Sequence, residues 1–208
     1  MSTAIDQSSM LESNLPPFPV WRWTLDEYHA LVDQGSFDDE RVELLEGWIV
    51  PKMTRNPPHD AAVVRIDGVL RPLIPSGYHM RVQSAVTTGD SEPEPEPELA
   101  IVSGETEDYE EEHPGGQDIL LLVEIADASL QKDRRKTRVY AAAGVNVVWI
   151  ADLRSRQLEV YSGPMAASGE YQNRHVYQVG ESIPLTLQDR GHEIPVERLF
   201  SRKRQETP

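Results

Sequence analysis

The sequence predicts a mixed α/β domain: a mixed β-sheet flanked by helices, with additional β-hairpins. Two observations carry the α/β assignment. Apolar residues recur at three- and four-residue spacing in some segments and at every second residue in others, the signatures of helices and half-buried strands. Read in order, these segments run helix, hairpin, helix, strand, strand, strand, helix, strand, strand, with no internal repeat, which suits helices packed on one sheet. A chain of 208 residues with 38% hydrophobic content has enough apolar material for one buried core.

Residues 1–20 are rich in Ser, Pro and polar residues without an apolar period and are expected to form a flexible tail. They hold Asp6 and Glu12 but no Lys or Arg and no apolar stretch, which argues against a signal peptide. Residues 21–200 are expected to be the folded domain. Its first helix falls within Trp21 to Gln34, where Thr24 and Glu27 make a capping box, Leu25, Tyr28, Leu31 and Val32 have helical spacing, and Gly35 provides the stop. Arg41 to Met53 alternates as a β-hairpin with its turn at Glu46-Gly47. Pro57-Pro58 opens a second helix whose apolar stripe is Ala62, Val63, Ile66, Val69, Leu70 and Leu73, ended by Pro75-Ser76-Gly77. Met80, Val82 and Val86 then alternate as a half-buried strand.

Ser91 to Pro97 is a Glu-Pro alternation, expected to be extended and largely solvated because proline donates no backbone hydrogen bond and the glutamates repel. It leads into the short strand Leu99 to Val102. After an acidic loop, Asp118 to Ile125 is apolar on both faces, as a central strand covered on both sides should be. Gln131 to Ala143 reads as a helix closed by Gly144, Val147 to Ile150 as another buried strand, and Gln157 to Tyr161 as its hairpin partner. Tyr171 to Val179 has the character of an edge strand, and residues 201–208 of a second flexible tail.

Charge and composition narrow the function. The absence of cysteine excludes a disulfide framework, a thiolate zinc site and cysteine nucleophiles. The longest apolar run, Ile119 to Ile125, is interrupted by Glu124 and falls far short of the roughly 20 residues that span a bilayer. The expectation is a cytoplasmic protein without a membrane helix. A net charge of −15 looks hostile to a polyanion, yet eleven acidic residues and no basic one lie between Asp90 and Glu112, leaving only −4 for the rest of the chain. Lys132, Arg134, Arg135, Lys136 and Arg138, by contrast, fall within seven residues. Such a run either grips a nucleic-acid backbone or forms a charged, solvated helix face.

Glu124 is the most informative residue, because it interrupts an apolar central strand on the face shared with Leu120 and Leu122. A buried carboxylate is costly unless a cation or strong donors meet it. The counter-charge is either a divalent metal or Lys136, one turn into the following helix; the alternative is a strand-end glutamate that reaches water. Glu98 supplies a second carboxylate at the start of the neighbouring strand, or is simply the last member of the Glu-Pro run. Two carboxylates at strand ends and a lysine arriving from a helix suit metal-assisted attack of water on a phosphodiester. A hard cation held by oxygens, Mg or Mn, fits such a site. Lys136 would orient or deprotonate the water or neutralise charge developing at phosphorus.

On these residues the sequence resembles the Uma-two family of restriction endonuclease-like proteins in the PD-(D/E)XK nuclease superfamily. The matching pieces are Val42-Glu43-Leu44-Leu45-Glu46-Gly47-Trp48-Ile49, Pro58-His59, Pro97-Glu98-Leu99-Ala100-Ile101-Val102, Val123-Glu124-Ile125-Ala126-Asp127-Ala128-Ser129-Leu130 followed by Asp133, Lys136, Tyr140 and Ala143-Gly144-Val145, and Val148-Trp149-Ile150-Ala151-Asp152. In order and spacing they cover nearly all of residues 21–200. The resemblance implies a four-stranded mixed sheet flanked by helices, with a metal site at the strand ends. Glu98 stands where the family usually has an aspartate, Glu124 matches the second metal carboxylate, and the Ile125 carbonyl the third ligand. Lys136 takes the part of the lysine that other nucleases of this superfamily carry two residues after the second carboxylate, where this chain has Ala126. Glu43 matches an acid of the first hairpin. His59 matches a family histidine near the start of the second helix, with either a contact to phosphate or the scissile region or a capping or solvated role, and Asp133 and Tyr140 hold Lys136 and its helix. Lys132 shares a helix face with Lys136. Trp149 and Tyr161 read as packing rather than as base-stacking platforms.

The function expected from this is a Mg- or Mn-dependent endonuclease acting on DNA, with a homodimer suited to double-strand cleavage. Glu98 is one methylene longer than the family's aspartate. That difference and the acidic surface motivate a second reading, a nuclease fold serving as a binding or assembly module. A third is an acidic DNA mimic built on Asp90 to Glu112.

Overall fold

The computed structural model of the chain describes residues 20–45, 47–51, 56–89 and 94–201. Residues 1–19 and 202–208 of the expected tails, Glu46 of the hairpin turn, the Met53 end of that hairpin and the first part of the Glu-Pro run lie outside the described residues. The elements are α1 (Leu25–Asp33), β1 (Val42–Leu45), β2 (Trp48–Pro51), α2 (Pro57–Leu70), β3 (Tyr78–Val82), β4 (Leu99–Ser103), β5 (Ile119–Ala126), α3 (Leu130–Ala142), β6 (Val147–Asp152), β7 (Gln157–Met165), β8 (Glu170–Gln178), β9 (Ser182–Leu187) and β10 (Arg190–Pro195). Six strands form one sheet in the order β3-β4-β5-β6-β7-β8, and β1-β2 and β10-β9 are separate hairpins. Only β5 and β6 are parallel within the described sheet, joined through α3 as a βαβ crossover; the other pairs are antiparallel. The mixed α/β class is as the sequence predicts. The sheet is wider than the four strands the resemblance implies, because β7 and β8 add two antiparallel strands beyond β6.

Period-two alternation sends the strand side chains to two cores. Leu99, Ile101, Leu121, Val123, Ile125, Trp149 and Ala151 pack on one face against Ala62, Val63, Ile66 and Leu70 of α2 and against Ile183, Leu185, Leu187 and Ile194 of β9-β10. Ala100, Val102, Leu122, Ala126, Val148 and Ile150 pack on the other with Tyr140 of α3. Each aliphatic side chain fully buried this way contributes about 1.5–3 kcal/mol. The β9-β10 hairpin went unread in the sequence, although Ile183, Leu185 and Leu187 alternate cleanly.

Several element ends follow from local chemistry. The Thr24–Glu27 capping box of α1 forms reciprocally. None of its residues is buried, and α1 is anchored instead by Tyr28, whose hydroxyl donates to the Val42 carbonyl at 3.2 Å. Asn56 caps α2 by accepting from the His59 amide at 3.0 Å. The α-helix stops at Leu70, short of the expected Leu73, and continues as a 3-10 turn over Arg71–Leu73, because Pro72 cannot donate the next helical bond. Val86 does not belong to β3. Gln83 adopts φ +51°, which breaks the strand after Val82, and Val86 drops into the α3-side core. Leu120 is likewise displaced from the face of Leu122: Ile101 pairs with Leu121 but Val102 with Ile119, so Leu120 is an extra residue at a bulge and packs toward the α2 side.

The described part of the Glu-Pro run is not largely solvated. Pro95 and Pro97 are buried and Glu94, Glu96 and Glu98 half-buried, and the Pro95 carbonyl accepts from the Val86 amide at 3.1 Å. A two-residue repeat sets Pro95 and Pro97 on the buried side and Glu94, Glu96 and Glu98 on the other.

Candidate functional site

The site is built at the β4 and β5 strand ends. β4 begins at Leu99, paired with Val123, so β5 runs on beyond its neighbour. The Ile125 amide therefore has no strand partner on that side and donates instead to Glu98 Oε2 at 3.0 Å. In an extended residue the N–H and C=O face the same edge, so the Ile125 carbonyl is turned to the same side. The other Glu98 oxygen, Oε1, lies 3.1 Å from His59 Nε2, placed there by the first turn of α2.

α3 crosses the opposite face and delivers the cations. Lys136 is buried, with Nζ 3.2 Å from Glu124 Oε1 and 3.6 Å from Glu43 Oε2. Lys132, one turn earlier on the same helix face, pairs with Glu43 Oε1 and donates to the Pro51 carbonyl at 3.0 Å. These two lysines tie the β1-β2 hairpin to α3 and draw Glu43 into the site. The Tyr140 hydroxyl donates to Glu124 Oε1 at 2.5 Å, and the Ser129 hydroxyl to Asp133 Oδ2 at 2.5 Å.

A cavity of about 100 Å³ opens over this constellation, lined by Glu43, His59, Glu98, Ile125, Lys132, Asp133 and Lys136 among the residues the sequence singled out. Glu124 does not line it. At 1% exposure it sits beneath, held by Tyr140 and Lys136, so the strand-end glutamate reaching water is excluded. The remaining lining comes from Arg41, Asn56, Glu96, Asp127, Ala128 and Ser129, which the sequence reading left unassigned. Asn56 carried a signal, an Asn before Pro57-Pro58 being a strong helix start; its amide donates to Asp127 Oδ2 at 2.6 Å. Of the basic run, Lys132, Arg134 and Lys136 are turned into ion pairs, while Arg135 and Arg138 are exposed. Trp149 is buried in the core and Tyr161 packs beside Glu159, neither presented to a base.

Burial and charge set the protonation of the group. Burial drives Glu124 well above the ordinary carboxylate range, opposed by Lys136 and reinforced by Glu98. For Glu98 the same burial effect is outweighed by the hydrogen bonds to His59 and Glu124 and by the charge of Lys136, which hold it below its usual value. Two facing carboxyl groups thus part in affinity, as pairs do when only one can easily ionise. Burial alone would lower Lys136, but Glu124, Glu43, Asp133 and Glu98 together raise it and keep it cationic. Burial pushes Asp133 up to about 6 against the pull of Lys136. Burial and Glu124 push the Tyr140 phenol far up, so it remains a donor. His59 is raised by its hydrogen bond to Glu98, against the opposing effect of burial.

Among the described residues no group of three or more His, Asp and Glu side chains is arranged to hold a metal ion. The oxygens suited to a hard cation are the Glu98 and Glu124 carboxylates and the backbone carbonyl of Ile125, a donor set of two side chains and one main-chain group. The facing carboxyl pair fits this reading, since a cation between them would relieve the repulsion that now favours a shared proton.

A mixed sheet with two carboxyl groups at adjoining strand ends and a buried lysine from the crossover helix defines a restriction-endonuclease-like protein. The chain belongs to the Uma2 family, described as "Putative restriction endonuclease", whose model matches residues 25–197. It is similar to a solved structure described as "a putative nuclease belonging to DUF820" from Anabaena variabilis ATCC 29413. The two share 19% sequence identity over 87% of this chain and 97% of that one, with a TM-score of 0.61. At that identity the likeness shows the fold. No curated protein matches the chain. Among the described residues no helix is long and apolar enough to cross a membrane.

Proposed function

We propose that this protein is a metal-dependent endonuclease that hydrolyses phosphodiester bonds of DNA. The observation that carries the reading is the convergence of Glu98, Glu124 and Lys136 from three different elements on one cavity and its floor. Glu98, Glu124 and the Ile125 carbonyl would hold Mg or Mn, with Glu43 at the far side of Lys136. When bound, such an ion supplies Lewis acidity toward a phosphoryl oxygen and lowers the pKa of water. Lys136 contributes positive charge and N–H donors where negative charge builds on the phosphate oxygens. Tyr140 and Asp133 fix that lysine and Glu124, acting on the reaction through them. His59 holds Glu98 in place and keeps it ionised.

A second reading, a nuclease fold kept as a binding or assembly module, is favoured by one observation: both Glu98 oxygens already take donors of the protein itself, His59 and the Ile125 amide. Calorimetric titration of Mg and Mn into wild type and Glu124→Gln, followed by plasmid nicking on the same samples, separates the two. The nuclease reading expects binding and nicking in wild type and neither in the variant. Wild type that binds no metal would leave the module reading standing.

A further inference from the structure

We infer that a second pocket, walled by Arg65 and Arg156, seats the phosphate backbone of the nucleic-acid strand next to the scissile bond. The inference rests on the nuclease reading and names where its substrate is held. The pocket, about 160 Å³, shares Asp127 with the catalytic cavity, so the two spaces meet at one residue. Asp127 is fixed between them by the Asn56 amide at 2.6 Å and by Arg154 Nε at 3.6 Å.

The pocket pairs an apolar floor with two arginines and, where it meets the first cavity, the Asp127 carboxylate. Pro58, Ala61, Leu153 and Phe200 supply the floor. Arg156 stands in the β6-β7 turn at φ +55°, its guanidinium 6.0 Å over the Phe200 ring and donating to the Ser201 carbonyl. That bond uses a fraction of its five N–H donors. Arg65 is half-buried on α2 and, among the described residues, has no hydrogen-bond or ion-pair partner. Its guanidinium is not among the buried unpartnered groups, so it reaches solvent at the pocket wall and is open to an anion from outside. A phosphodiester strand offers both complements, anionic oxygens for the guanidinium groups and sugar faces for the apolar floor. Arg65 lies six residues beyond His59 on the same helix, roughly 9 Å along its axis, within reach of an adjoining nucleotide. The α3 basic run is a poorer seat, because most of its cations are already spent on Glu43, Glu124 and Glu159.

The test uses the full chain with Ca in place of Mg, so that binding is read without cleavage. Fluorescence anisotropy of a labelled duplex oligonucleotide gives Kd against salt for wild type, Arg65→Gln, Arg65→Ala/Arg156→Ala and, as a control, the exposed Arg190→Ala. Cleavage with Mn gives kcat and KM for the same proteins. The double variant should bind on the order of tenfold more weakly, flatten the log Kd–log salt slope by about 1–2, and raise KM with kcat near wild type. Arg65→Gln should show part of this, with an unchanged urea-unfolding midpoint separating lost binding from lost folding. If wild type cuts DNA and the Arg65 and Arg156 variants behave like Arg190→Ala, the pocket assignment is wrong and the nuclease reading survives. Binding that depends on the two arginines without any cleavage supports the pocket and overturns the nuclease reading. A wild type that neither binds nor cuts overturns both.

Discussion

Glu159 offers a quantitative test of how α3 is fixed to the sheet. Its carboxylate is 3% exposed and receives Arg134 Nε at 3.1–3.2 Å, Arg174 Nη2 at 3.0 Å and the Tyr161 hydroxyl at 2.6 Å. Burial would raise its pKa, but these donors win and hold it at about 2, against an ordinary value of 4.5. Each tenfold change in proton affinity is worth about 1.4 kcal/mol, so the network contributes at most about 3 kcal/mol. The arginine side chains are 32% and 46% exposed and screened by water, which reduces the expectation to about 1–2 kcal/mol. The sign follows from a depressed carboxylate: the contribution is complete above the unfolded-state value near 4.5 and is lost as pH falls through the folded value near 2. Urea unfolding of wild type and Glu159→Gln should therefore show the variant less stable by about 1–2 kcal/mol at neutral pH, with the gap closing toward about pH 2. A gap that is independent of pH, or that widens in acid, would refute the argument.

Three further outcomes are expected. Lys136→Ala leaves Glu43 and Glu124 without their shared counter-charge and should cost about 3 kcal/mol in urea unfolding. Lys136→Met keeps the stem and should lower kcat about 100-fold or more, and unchanged cleavage would remove Lys136 from the chemistry. Magnesium binding should tighten as pH rises, because the ion competes with the proton that burial holds on Glu124; calorimetry in two buffers of different ionisation enthalpy reads the proton released. Gly116→Ala would set a Cβ 2.0 Å from the Ala143 carbonyl oxygen and should cost about 3 kcal/mol or more in stability. Gly68→Ala, with nothing within 4 Å in α2, should instead add about 0.5–1 kcal/mol, and thermal melts of the two variants compare them directly.

Most of the fold was legible because the strands and helices here are strongly periodic and their caps are conventional. Thr24, Asn56 with Pro57-Pro58, and Gly144 mark boundaries through local chemistry alone. Val86 and Leu120 were misplaced because each depends on a single irregular backbone position, Gln83 in the left-handed region and the β4-β5 register shift, and neither residue type announces it. Glu124 was legible as an anomaly, a charge inside an apolar strand. Its partners depend on α3 folding back over the sheet: Lys136 was legible from its place one turn into that helix, whereas Tyr140 was singled out by the resemblance, not the spacing. Glu43 is further still from deduction, since it comes from a hairpin outside the main sheet, drawn in by two lysines. Arg65 and Arg156 are 91 positions apart and share a pocket only through the sheet's crossover.

The buried prolines before β4 have a consequence for the site's chemistry. Continuing the register in which Leu99 faces Val123 would set Pro97 opposite Ile125. Any other residue there would bring an amide hydrogen to the Ile125 carbonyl and extend the ladder by a rung. A tertiary amide nitrogen has none to give, so an oxygen that sheet formation would ordinarily consume receives no ladder bond from position 97. The ring of Pro97 thus acts as a chain terminator for hydrogen bonding, and under the proposed function the carbonyl left over is the one that would face the metal.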